Sequence, residues 1–196
     1  FDLDCGCDGT RYAPLLLTTR PTQCDDHGVA KMISAGTVPD VEELQNIEAI
    51  KRLKAYYCHY ADSGRHSEEF ANLFTENAVL DEGEDGVFKG RPAIAKMYQD
   101  LWPYLRLNQH LVMNPIIHVE GDKATGQWRL IQYMTTIHPE RDRAYLAVGE
   151  YREEYVKDGG VWRFQHVNAK VHFCCDASAD WATEPFAELL PPEALA

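Results

Sequence analysis

From residue 105 onward, apolar and polar side chains alternate with a period of two across four long runs, at about 106–119, 122–137, 143–157 and 161–175. Such alternation marks β-strands whose two faces meet different surroundings. The runs are joined by "EGDK", "HPERD" and "KDGG", turns of hairpin length, so consecutive strands form an antiparallel meander. An apolar sheet face this large needs cover, and only the helical segments before it can supply that cover. Pro115 lies inside the first run, where a proline belongs to an edge or a bulge, so that strand bends.

The segments before residue 105 have the helical period. In "PDVEELQNIEAIKRLKAYYCHYADSG", Asp40 and Glu43 have the spacing of a capping box. Leu44, Ile47, Ile50, Leu53, Tyr57 and Tyr60 then recur every three or four residues, and Gly64 is a plausible stop. "SEEFANLF" predicts a short second helix with Ser67 as its cap and Phe70, Leu73 and Phe74 inward. "NAVLDEGEDGVFKG" reads as a small hairpin around Asp85 and Gly86. "RPAIAKMYQDLW" starts a third helix at Pro92 and ends it at Pro103. The expected fold is therefore α+β: a cone-like partial barrel, with a long curved antiparallel sheet wrapped around the N-terminal helices and an internal cavity between them.

Three parts follow: an irregular extension over 1–38, the domain over 39–176, and a tail over 177–196 with a short helix in "PFAELLPPEALA". The extension places Cys5, Cys7, Cys24 and His27 within reach of a zinc-like set. The C-x-C spacing is atypical, and no metal is expected. Six scattered cysteines do not make a disulfide framework in 196 residues, so reduced thiols and a cytoplasmic setting are expected. No run nears the roughly 18 apolar residues of a membrane span. The opening residues lack the basic and apolar regions of a signal peptide. A formal charge of −12 argues against nucleic acid as a partner. No Walker loop, dinucleotide glycine pattern or H-E-x-x-H occurs, so no phosphate cofactor is expected.

"IEAIKRLKAYYCHYADSGRHSEEFANLFTENAVLDEG", "FKGRPAIAKMY", "QHLVMNPIIHVEGDKATGQW" and "GGVWRFQHVNAKV" together resemble the SnoaL-like branch of the NTF2-like superfamily, over about residues 42–173. The pocket motif is most similar to the steroid- and polyketide-type dehydratases of that branch. These carry a Tyr five residues before an Asp at the end of the first helix, and a His on the first long strand. The matching positions are Tyr57, Asp62 and His110. The resemblance implies cofactor-free proton transfer on a bulky apolar or aromatic small molecule.

Those residue types suit the chemistry. A carboxylate can orient an imidazole and stabilise its cation while the ring takes a proton, and a tyrosine can hydrogen-bond a developing oxyanion or a departing hydroxyl. His110 is expected as the base, Asp62 as its orienting partner and Tyr57 as donor or acid. Residues five apart on a helix point about 140° from each other, so Tyr57 and Asp62 must flank the site rather than share a face. Tyr98, Trp102, Met113 and Trp128 read as substrate-contacting wall. On the last strand, Trp162, Phe164, His166, Asn168, Lys170 and His172 share one parity, and Val161, Val167, Ala169, Val171 and Phe173 the other. Either face could line the cavity; Asn168 is the pocket candidate if the first does. Glu153 and Glu154, with Glu42, Glu48, Glu68 and Glu69, read as solvated acids.

The expected activity is a lyase: a dehydratase, or an aldehyde-releasing C–C lyase using the same groups. An isomerase, an epoxide hydrolase and a non-catalytic binding or assembly subunit are the competing readings. The aromatic outer sheet face suggests a homodimer or homotrimer.

Overall fold

The computed structural model describes residues 38–187, and the fold below is that of the unit beginning at Pro39. The extension, its Cys5, Cys7, Cys24 and His27, and the expected terminal helix beyond residue 187 lie outside the described residues.

Helix α1 spans Val41–Ser63. Asp40 caps it by accepting from the Glu43 amide at 2.8 Å, and Gly64 ends it in the left-handed conformation, φ 69°. Both ends are where the sequence places them. A side chain at Gly64 is excluded twice over, because its Cβ would sit 2.5 Å from the Trp102 ring. Gly64→Ala is therefore expected to cost about 1–3 kcal/mol, read as a lower midpoint in thermal denaturation.

Helix α2 is shorter than predicted, Ser67–Ala71. His66, not Ser67, occupies the cap position, without a capping side-chain bond. Phe74 begins strand β1, Phe74–Asp81, instead of ending the helix. A 3₁₀ turn over Gly83–Asp85 leads to β2, Val87–Lys89, and α3 spans Arg91–Leu101 with Pro92 in its first turn. The long strands are β3 (Leu105–Glu120), β4 (Lys123–Thr136), β5 (Arg143–Asp158) and β6 (Val161–Asp176).

The six strands form one sheet in the order β2-β1-β6-β5-β4-β3. The meander from β3 to β6 is antiparallel, as predicted. β1 departs from this: it lies parallel to β6, so the sheet is mixed. Local hairpin turns announce antiparallel neighbours, whereas the β1–β6 pairing joins segments about 90 residues apart and leaves no local trace.

Bulges then decide which residues face the helices. In β3 the register shifts between Met113 and Ile116, where Asn114 adopts φ 52° just before Pro115, at the expected bend. In β6 the register slips at Gln165, because Phe164 pairs with Tyr155 while His166 pairs with Glu154. A one-residue slip reverses every later side chain. Trp162 and Phe164 are buried before it, and Val167 and Ala169 after it. Neither single-parity reading of the last strand therefore holds along its whole length. Ile50, Leu53, Phe70, Phe74, Leu80, Ile94, Trp128, Phe164 and Val167 make up most of the core between α1 and the sheet.

Candidate active site

The C-terminal turn of α1 is tied to β3 side by side. Asn108 Nδ2 donates to the Ala61 carbonyl at 3.2 Å, and Gln132 Nε2 holds Asn108 Oδ1 at 2.7 Å. One residue further along the helix, Asp62 accepts from the His110 backbone amide at 3.0 Å and from Gln109 Nε2 at 3.1 Å. Its Oδ1 also lies 2.6 Å from His110 Nδ1. A carboxylate can only accept, so Nδ1 is the donor in this contact, and in the neutral ring Nε2 is the nitrogen that can take a proton. Both side chains are largely withdrawn from water, His110 at 8% and Asp62 at 15% exposure.

Tyr57 approaches His110 from the other side. Its ring meets the imidazole nearly edge-on, at 6.3 Å between centroids and 84° between planes. α1 remains helical through Ser63, so Tyr57 and Asp62 do point apart. His110 stands between them, and no loosening of the helix near Ala61 is needed. Burial pushes the Tyr57 hydroxyl well above the ordinary phenol range, with Tyr151, Glu82 and Glu153 adding to the rise. A phenol in that setting stays protonated; its hydroxyl interacts with that of Tyr151, and Tyr57 is not among the residues that line the cleft at His110.

The expected wall residues are placed differently. Trp128 is buried on the inner face of β4, where its Nε1 donates to the Tyr155 hydroxyl at 3.0 Å. Tyr98 is not free to meet a ligand through its hydroxyl, which accepts from the Gly64 amide at 3.0 Å and donates to the Tyr60 carbonyl. It clasps the end of α1 and stacks on Phe70. Trp102 covers Gly64 and, with Tyr98, Arg65 and Gln99, borders a cleft of about 400 Å³. That cleft is separate from the one at His110, also about 400 Å³, which Ala55, Cys58, His59, Asp62, Ser63 and Gln109 line together with His110.

Met113 is a correction. It pairs with Arg129 while its neighbour Val112 pairs with the buried Leu130, so Met113 takes the outer face. Asn168 is another: after the Gln165 bulge it also faces outward, and its Nδ2 donates to Asp81 Oδ2 at 3.0 Å. Glu153 is the third, since this expected solvated acid has a fully buried side chain paired with Lys54 Nζ at 2.5 Å.

Three polar groups of the interior escaped the sequence reading: Lys54, Tyr151 and Glu82. Lys54 sits in a run of basic residues and looks solvated there. Yet it occurs three residues before Tyr57, on the same helix face, which is the one local signal that it turns inward. Tyr151 lies one alternation from Glu153 on the buried side of β5. Glu82 follows β1 directly and is partly buried. Burial pushes its carboxyl up to about 7, with Asp85 and Asp81 acting in the same direction and Lys54 in the opposite one.

A carboxyl whose pKa is higher in the folded protein favours folding most below its unfolded value, near 4.5, and loses that contribution as pH rises through about 7. The shift corresponds to on the order of 3 kcal/mol. Glu82→Gln should therefore stabilise the protein at pH 8 and change it far less at pH 4.5, as measured by urea unfolding at both. Equal effects at the two pH values would remove Glu82 from the interior electrostatics.

The SnoaL-like domain family matches residues 42–168, nearly the whole of the described fold. The chain belongs to the SnoaL-like domain family. No curated protein matches it. Among solved structures it is similar to a provisionally named scytalone dehydratase of Novosphingobium aromaticivorans DSM 12444, at 23% identity and TM-score 0.62, covering 70% of this chain and 91% of that one. It is similar too to the LinA-type3 hexachlorocyclohexane dehydrochlorinase of Novosphingobium barchaimii LL02, at 20% identity and TM-score 0.63, covering 76% and 97%. A Mycobacterium tuberculosis protein of unknown function matches at 27% identity and TM-score 0.58, covering 67% and 79%. These likenesses establish the NTF2-like α+β cone. Among the described residues, no helix is long and apolar enough to cross a membrane.

Proposed function

We propose that this SnoaL-like protein is a cofactor-independent lyase that removes a carbon-bound proton and expels a leaving group from a hydrophobic cyclic or aromatic small molecule. The observation that carries the reading is the 2.6 Å contact between Asp62 Oδ1 and His110 Nδ1, which leaves Nε2 as the unprotonated nitrogen. His110 is the base, Asp62 holds its tautomer and stabilises the imidazolium, and Tyr57 donates to the departing or developing oxygen.

For a dehydration, the C–H electrons become the new C=C bond while the C–O bond breaks. The proton passes to Nε2 and is returned by the imidazolium to the leaving hydroxide, so water departs, the base is restored and no redox partner is required. Release of an aldehyde from a diol would use the same base on a hydroxyl proton, with a C–C bond breaking in place of C–H. The similar proteins named as a dehydratase and a dehydrochlorinase both carry names of eliminations, which favours that class. Free thiols at Cys58, Cys174 and Cys175 suit a cytoplasmic setting. Leu107, Leu111 and Tyr133, exposed on the outer sheet face, suit a homodimer or homotrimer contact.

The test is a panel of aromatic and polycyclic alcohols, diols and halides incubated with the purified protein without added metal or nucleotide. Loss of water, aldehyde or hydrogen halide is expected by mass spectrometry for at least one member. Deuterium at the abstracted position should slow the single-turnover rate. A panel with no elimination product, or turnover that needs an added redox cofactor, would remove the proposal.

A further inference from the structure

Behind Tyr57 the interior holds a charge pair that the proposed reaction does not touch. Lys54 and Glu153 both have side chains fully withdrawn from water and meet at 2.5 Å. Desolvating two charges is unfavourable compared with apolar residues of similar volume, so a pair in this position calls for a role besides stability. Its surroundings supply one. Glu153 is held from behind by the Tyr155 hydroxyl, itself fixed by Trp128 Nε1. Held there, the carboxylate directs the Lys54 ammonium over two rings, 3.3 Å from the Tyr151 centroid and 4.0 Å from that of Tyr57. Phe70 at 5.0 Å and Phe164 at 5.5 Å pack against other parts of the Tyr57 ring. Tyr151 at 5.8 Å and Phe74 at 6.2 Å also border the ring, and the His110 imidazole meets it edge-on at 6.3 Å.

We propose that the Lys54–Glu153 pair is a positioning device that clamps the Tyr57 ring and, through it, sets the plane of the His110 imidazole against Asp62. Its catalytic meaning rests on the His110–Asp62 reading above, but the clamp belongs to the unliganded protein. Lys54 is a positioning residue, with Tyr57 interposed between it and His110. The attraction between ammonium and ring faces restrains Tyr57 more than apolar packing alone does. A ring that turns freely would let the imidazole tilt away from the carboxylate.

The test uses the unliganded chain labelled with ¹³C-tyrosine and ¹⁵N-histidine, with the double variant K54M/E153Q beside the unchanged protein. The double variant removes both charges, while the glutamine keeps an acceptor for Tyr155. The Tyr57 ring should flip at least about tenfold faster without its cation–π contacts. The His110 Nδ1 proton should lose its sharp downfield resonance. An unchanged flip rate together with an unchanged His110 resonance, in a folded variant, overturns the clamp. Should the double variant fail to fold, E153Q alone is judged by the same two signals, since it keeps side-chain volume and strips Lys54 of its counter-ion. Turnover separates this inference from the lyase reading. Altered signals with intact turnover support the clamp and count against His110 as the base. Unaltered signals in a variant that has lost turnover overturn the clamp and leave the lyase reading standing.

Discussion

His110→Ala is expected to lower kcat/KM by roughly 10²- to 10⁴-fold, the range a positioned general base supplies, while the thermal midpoint stays within a few degrees. The fold should tolerate the loss because the anchor between α1 and β3 is mostly main-chain and amide in character. The His110 backbone amide would still donate to Asp62 at 3.0 Å, and Gln109 and Asn108 would keep their own bonds. Only the imidazole bond at 2.6 Å disappears. Asp62→Asn should be nearly as damaging by another route. An amide nitrogen facing Nδ1 favours the tautomer with its proton on Nε2, which can no longer accept one. Steady-state kinetics on any substrate from the panel measures both, with circular dichroism to show that the variants are folded. A His110→Ala protein retaining more than about a tenth of the activity would exclude the ring as the base.

Much of this site can be read in the chain, and the reasons differ from residue to residue. Tyr57 and Asp62 stand out because a strong helical period places them near a helix end that Gly64 marks. His110 is singled out by the resemblance to the SnoaL-like dehydratases, since His118, His166 and His172 also lie on long alternating strands. What the spacing could not provide was the third dimension of the 140° problem. Two residues that point apart on a helix can still act on one group when a neighbouring strand passes between their directions. Met113 precedes the β3 bulge and has the parity opposite to His110, so the alternation of its own strand already turns it outward; Asn168 differs, since parity survives only as long as register does. Asn168 follows the slip at Gln165 and so faces outward, whereas Trp162 and Phe164 face the core. A bulge depends on pairing across strands, which one strand's sequence does not display. Lys54 and Glu153 escaped through composition. Lys54 lies among Lys51 and Arg52, and Glu153 beside Glu154, so each resembles part of a solvated charged face. Their mutual neutralisation spans 99 positions.

That long-range pair leads to the second large expected effect. Lys54→Ala should destabilise the fold by about 3–5 kcal/mol, because it strands the Glu153 carboxylate in an interior that offers no other cation at hydrogen-bonding distance among the described residues. At about 2–4 °C per kcal/mol for a chain of this length, the thermal midpoint should fall by about 10 °C. The same variant also leaves a space beside Tyr151 and Tyr57, which adds to the loss. K54M/E153Q should behave quite differently: methionine refills the volume, neither side chain carries charge, and most of the stability returns. Thermal and urea unfolding of the single and double variants together give the coupling between the two sites. A Lys54→Ala midpoint within two or three degrees of the parent would mean that water reaches Glu153 readily, and that the centre of the cone is wetter than its packing implies. A double variant as unstable as the single one would instead place the stabilising contribution in the stem of Lys54 and its contact with the rings. The contrast matters for the chemistry as well, because a base that depends on a dry, fixed aromatic neighbour requires the charges behind that neighbour to be matched.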